Sequence, residues 1–244
     1  MINIWKYKIF HKVWKSAKRH PKVARVLCDI TTWYYRNARV SDLVGIYDAA
    51  YHDNYGASNA SEVKIKKAQA QALRQTFAEN KILVGGCADG LLVQELRNVG
   101  FDAYGFDLSK AALANAGTDI RPFLREGSLT NMPFDAADEF EMFVAVDVIE
   151  HIPERNIDAV VAELQRLRIE CLALVINCSD LQCAGHVTMK PLRWWKERLK
   201  DAYSIEDDFR INTNGIPRVY SLDESAEDKF TFWRKTTSIA AVPL

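Results

Sequence analysis

Asp147, Glu150 and His151 stand at i, i+3 and i+4 in the run DVIEH, and a second imidazole, His186, follows further along the chain. A helical turn over DVIEH puts its two carboxylates and its imidazole on one face. Carboxylates and imidazoles accept protons at moderate pH, which makes His151 and His186 candidate general bases. A second group of residues surrounds GGCADG at 85–90, where Gly86, Ala88 and Gly90 occupy the GxGxG positions of a turn that lets backbone pass close to a ligand. Asp107 follows these glycines at about the interval expected of an acid that binds a ribose diol, and its two acceptor oxygens can take both hydroxyls.

Both groups need a frame. Residues 81–107 read as a short apolar strand, a turn of small residues, a helix marked by Leu92, Leu96 and Val99, a second strand and then the carboxylate, the outline of a nucleotide-binding βαβ unit. Apolar runs without helical spacing at 122–124, 140–146 and 172–177 predict three more strands. Ile157, Val160, Val161, Leu164 and Leu167 predict the helix between the last two. Strands alternating with helices imply a parallel sheet covered on both faces, so the fold class is α/β and doubly wound. DVIEH then lies just past the fourth strand and His186 past the fifth, where the crevice of such a sheet opens. PLRWWKERL predicts a helix begun by Pro191, and YSIEDDF and KFTFWRK predict two closing strands.

Ahead of this frame, residues 2–19 show an amphipathic helix pattern. Ile2, Trp5, Ile9, Phe10, Val13 and Trp14 gather on one side, and Lys8, Lys12, Lys15, Lys18 and Arg19 on the other. Such a helix either packs on its own domain or lies in a membrane interface, and residues 1–20 are the candidate for peripheral membrane contact. Residues 22–38 and 61–78 read as further helices, so 1–79 is expected to form a helical lid region ahead of a domain spanning 80–244. Whole-chain charge is zero, with 32 Lys and Arg against 32 Asp and Glu, and by itself predicts neither nucleic acid nor membrane as a partner. The five cysteines include no CxxC pair, and no apolar run approaches the roughly 20 residues of a membrane span. Charges are scattered through the first residues where a signal peptide would be uninterrupted and apolar. A cytoplasmic protein with reduced thiols is the expectation.

ILVGGCADG, YGFDLSKAAL, REGSLTNMPF and FEMFVAVDVIEHIP, in that order and spacing, resemble the successive motifs of class I S-adenosylmethionine-dependent methyltransferases over roughly residues 80–180. The resemblance implies a seven-stranded sheet with its last strand antiparallel. It also implies S-adenosylmethionine as cofactor, with Gly86, Ala88 and Gly90 lining its methionine end, Asp107 holding the ribose, Leu108 touching the adenine, and Ser128 and Leu129 at the adenine edge. Three positions depart from the family pattern. Val84 stands where an acid is usual at the end of the first strand, Ala88 replaces the middle glycine, and Ser128 replaces the acid that receives the adenine amino group.

DVIEH with its distant His resembles the metal-binding ExxEH pattern of ubiquinone-pathway and small-RNA O-methyltransferases. That likeness implies Asp147, Glu150, His151 and His186 as ligands of Mg or Mn. The residues equally allow Glu150 and His151 to orient the turn, with His151 a metal-free base. GHVTMKPLRWW resembles a stretch of glycan-associated methyltransferases, in which Trp194 or Trp195 would stack on a sugar and Lys190 or Arg193 would meet an anionic group. The implied activity is O-methylation of a sugar hydroxyl on a surface polysaccharide or lipid-linked precursor. The alternatives are a small aromatic or quinone-type hydroxyl, or a domain that binds cofactor without reacting.

Overall fold

The structure is a computed structural model and describes residues 26, 30, 33 and 37, and residues 60–176, 186–211 and 228–235. The helix expected over 2–19, the loop that follows 22–38, and Cys28, Cys178 and Cys183 lie outside the described residues.

In chain order the elements are α1 (Ala60–Thr76), β1 (Lys81–Gly85), α2 (Leu91–Asn98), β2 (Asp102–Asp107), α3 (Lys110–Ala114), β3 (Leu124–Glu126), β4 (Met142–Val146), α4 (Ile157–Arg166), β5 (Cys171–Val175), α5 (Leu192–Leu199), β6 (Tyr203–Ile211) and β7 (Asp228–Lys235). The strands form one sheet in the order β3-β2-β1-β4-β5-β7-β6. Only β7 runs antiparallel to its neighbours β5 and β6, as the seven-stranded expectation requires.

The central strands β1, β4 and β5 are almost wholly buried, because helices cover both faces and leave no solvent side to call for alternation. Side chains still alternate between the two faces. Ile82, Val84, Val144 and Ala173 meet Ala70 and Leu73 of α1 and Leu92 and Leu96 of α2. Leu83, Phe143, Leu172 and Leu174 meet Ile157, Val160 and Leu164 of α4 and Trp195 and Leu199 of α5. Residues 60–76 therefore share the core of the sheet.

Two local expectations shift. The third strand begins at Leu124, and Arg121–Phe123 form a 3-10 turn in place of the strand expected over 122–124. Pro122 has no N–H to give a ladder, so the apolar run ahead of the edge strand turns instead of pairing. The segment after β4 is a 3-10 turn over Ile149–His151, and Asp147 precedes it in the left-handed region at φ 53. Asp147 thus lies outside the turn that carries Glu150 and His151, and the shared helical face expected for all three is not formed.

Chain order places the site. From β1 the chain winds outward through β2 and β3, then returns to lay β4 on the other side of β1. The crevice at this reversal lies beyond the carboxyl ends of β1 and β4, between GGCADG and DVIEH. The two loops touch: a Cβ on Gly86 would stand 2.6 Å from Cγ2 of Val148.

Candidate active site

The turn after β1 has a left-handed residue at each of its three GxGxG positions: Gly86 at φ 65, Ala88 at φ 54 and Gly90 at φ 81. Gly90 has a second constraint, since a Cβ there would meet Cδ1 of Leu124 at 2.7 Å. Ala88 adopts the glycine conformation with a methyl group attached, at a cost of about 1–2 kcal/mol. Ala88→Gly is therefore expected to raise stability by about 0.5–1 kcal/mol, once the larger entropy of the unfolded glycine is subtracted. Thermal denaturation checks this, and a lower melting temperature for the variant would contradict it.

What holds Ala88 in place is Asp107. One carboxylate oxygen accepts the Ala88 N–H at 2.8 Å and the other accepts the Ser109 N–H at 2.8 Å. The Asp107 carbonyl accepts the Gly127 N–H at 3.0 Å. One buried acid thus ties together the exits of β1, β2 and β3. Ser109, fully buried, caps α3 by accepting the Ala112 N–H at 3.0 Å. Ser109 was not among the residues expected above, and the signal for it is a serine just ahead of a short helix.

The remaining cofactor candidates surround this knot. Leu108 is half-buried beside Asp107. Ser128 and Asn131 form an isolated bridge, and the Ser128 hydroxyl lies 3.1 Å from that of Thr130. The Leu129 side chain is buried in the core with Phe106 and Met132, so its backbone is the part that can face a ligand. Val84 is 2% exposed among Ile82, Val93 and Val144, so a valine there completes an apolar layer in which a carboxylate would be desolvated. Burial, with the Asp107 charge adding to it, pushes the Cys87 thiol well above its usual range and keeps it protonated and unreactive.

On the other side of the crevice, two strand exits are stitched together. The Val187 and Thr188 N–H groups both donate to the Glu150 carbonyl, at 3.0 and 2.9 Å, and the Thr188 hydroxyl donates to the Ile152 carbonyl at 2.6 Å. Thr188 carried no signal in the sequence, since its part depends on two segments meeting in space. The stitching sets the His151 and His186 rings edge to face, with centroids 4.5 Å apart. Glu150, His151 and His186 each offer one donor atom within 4.8 Å of the others. Asp147 is not part of this group. A carboxylate and two imidazoles are a donor set that fits a divalent transition ion with open positions better than the all-oxygen preference of Mg.

Burial lowers the pKa of His186 to about 4, and its Nδ1 has no hydrogen-bond partner. Its pKa is depressed relative to the unfolded chain, so the unfolded state binds the extra proton first. Stability of the metal-free protein is expected to fall as pH drops from about 6.5 towards 4, by up to ~3 kcal/mol from this residue. Melting curves across that range check the slope, which His186→Asn should flatten.

Beyond the imidazoles the same two segments run on together, with the Lys190 ammonium 2.9 Å from Glu154. The adjacent tryptophans divide as helix geometry demands. Trp195 is 1% exposed in the core, while Trp194 is half-buried with Lys190 5.1 Å from its ring centroid. Arg193 is exposed. Glu154, Trp194, Glu197 and Arg198 line an open cavity of about 240 Å³. Its charges are matched, Lys190 with Glu154 and Arg198 with Asp158 at 2.6 Å.

Residues 83–169 match a family model described as a methyltransferase domain. No curated protein sequence matches the chain. Among solved structures, the chain is similar to magnesium protoporphyrin IX methyltransferase from Synechocystis PCC 6803 with bound S-adenosylhomocysteine, at TM-score 0.60 and 13% identity, covering 81% of this chain and 100% of that one. A second is 1,6-didemethyltoxoflavin-N1-methyltransferase of Burkholderia thailandensis, at TM-score 0.58 and 14% identity, covering 82% and 91%. The glycopeptide N-methyltransferase MtfA complexed with S-adenosylmethionine follows at TM-score 0.51 and 13% identity, covering 70% and 93%. At such identities the likeness is one of fold. The ordered motifs, the seven-stranded sheet and the matched model converge: residues 83–169 form an S-adenosylmethionine-dependent methyltransferase domain.

Proposed function

We infer that the enzyme methylates the oxygen of a sugar hydroxyl, on a surface polysaccharide or a lipid-linked glycan precursor. The observation that supports this most is the cluster of Glu150, His151 and His186 across the crevice from the cofactor turn. S-adenosylmethionine supplies a methyl group on a sulfonium, which an acceptor oxygen takes by in-line displacement as the bonding pair leaves with sulfur. Gly86, Ala88 and Gly90 receive its methionine end, Asp107 its ribose, and Leu108, Ser128 and the Leu129 backbone its adenine.

An alcohol must lose its proton as it attacks, which calls for a base beside it. His186, with its pKa near 4, is too weak a base for that task at neutral pH. The half-buried His151 takes the proton, oriented edge-on by His186. A divalent ion on Glu150, His151 and His186 would occupy the lone pair of His151 and replace it as the activating group, lowering the hydroxyl's pKa so that the proton passes to solvent. Exhaustive chelation should then abolish turnover, and Mn should restore it better than Mg. Full activity after chelation would remove the metal and leave His151 as the base.

The Trp194 cavity favours a sugar over a flat aromatic or quinone-type acceptor. An indole floor ringed by mutually paired charges offers stacking and hydrogen bonds without net charge, which suits a neutral polyol. Transfer of labelled methyl to phenols but not to glycans would reverse this choice. In this reading the part of residues 1–79 that precedes α1 covers the crevice, α1 itself being packed in the core, and residues 1–20 bring the enzyme to the cytoplasmic face of a membrane.

A further inference from the structure

We propose that a helical face carrying Val26, Ile30 and Trp33 docks on the surface of an anionic lipid bilayer. The proposal deepens the membrane contact inferred above for residues 1–20, and rests on neither the acceptor nor the catalytic residues. Val26, Ile30, Trp33 and Asn37 are helical and stand at i, i+4, i+7 and i+11, so they form one stripe. Val26 is 56% exposed, Ile30 57% and Trp33 67%, and they are the large hydrophobic side chains left to solvent among the described residues. The Asn37 amide donates to the Trp33 carbonyl at 2.7 Å and ties off the turn that carries the tryptophan.

Charge identifies the occupant. Residues 1–40 hold ten of the chain's 32 Lys and Arg but only one of its 32 Asp and Glu, Asp29, so they carry net +9 and the rest of the chain net −9. The chain is neutral as a whole and strongly polarised along its length. Lys22, Arg25, Arg36 and Arg39 flank the stripe in sequence. A basic segment with an exposed aliphatic and tryptophan stripe matches an interface of anionic headgroups over acyl chains, where the cations meet phosphate and the stripe enters the acyl boundary. A nucleic acid would answer the charge and leave the stripe in water. The −9 remainder is repelled by the same bilayer, which turns the chain so that its N-terminal part faces the membrane.

The test is sedimentation of the full chain with vesicles of phosphatidylcholine alone and of phosphatidylcholine mixed with phosphatidylglycerol. Binding to the mixed vesicles only, weakened by salt, is expected. Val26→Ser/Ile30→Ser/Trp33→Ser should reduce it at least ~10-fold. Lys22→Glu/Arg25→Glu/Arg36→Glu should do the same while retaining S-adenosylmethionine affinity and the melting temperature. Equal binding to both vesicle types, unchanged binding by the serine variant, or binding to duplex DNA in place of vesicles would each overturn the proposal.

Discussion

Asp107→Ala is expected to weaken S-adenosylmethionine binding about 100-fold or more, measured by titration calorimetry with the cofactor and with its demethylated product. Two losses add. In the proposed site the ribose hydroxyls would lose a charged acceptor, and the Ala88 and Ser109 N–H groups lose the oxygens that fix the turns after β1 and β2. With its anchor gone, Ala88 is free to leave the left-handed conformation that its methyl group disfavours. Asp107→Asn should be nearly as damaging, by about 10-fold or more, because its NH2 group would be turned towards one of those two N–H donors. Unchanged affinity in Asp107→Ala would place the ribose elsewhere.

His151→Ala is expected to lower kcat by roughly 10²–10⁴-fold while leaving S-adenosylmethionine affinity unchanged, because the role proposed for the imidazole is on the acceptor and not on the cofactor. Stopped-time assays with saturating cofactor, alongside calorimetry, separate the two quantities. His186→Ala sharpens the assignment. If His186 only orients His151, its loss should cost less than the loss of His151. If both hold an ion, the two variants should fall by similar amounts and lose the response to added Mn. A His151→Ala enzyme with near-normal kcat would remove both roles.

The strand and helix succession, the glycine turn and the acid at the end of β2 were legible in the sequence because each rests on local chemistry. Buried strands must be apolar runs, a left-handed turn wants small residues, and a carboxylate at a fixed distance from the turn marks the end of β2. Two local readings went astray where an apolar or spaced pattern met backbone constraints. Pro122 turned an apolar run into a 3-10 turn, and the left-handed Asp147 broke what looked like a single helical face.

Contacts between distant segments needed the tertiary structure. The sequence by itself determined a doubly wound α/β domain and the residue types at its crevice. Only the fold decided that Thr188 and Glu150 stitch two strand exits together, that His186 sits buried against His151 while Asp147 is left outside, and that Trp194 lines a cavity while Trp195 fills the core. The physical reason is that burial and hydrogen-bond partners are properties of neighbours in space. The chain brings those neighbours together only when β4 and β5 lie side by side.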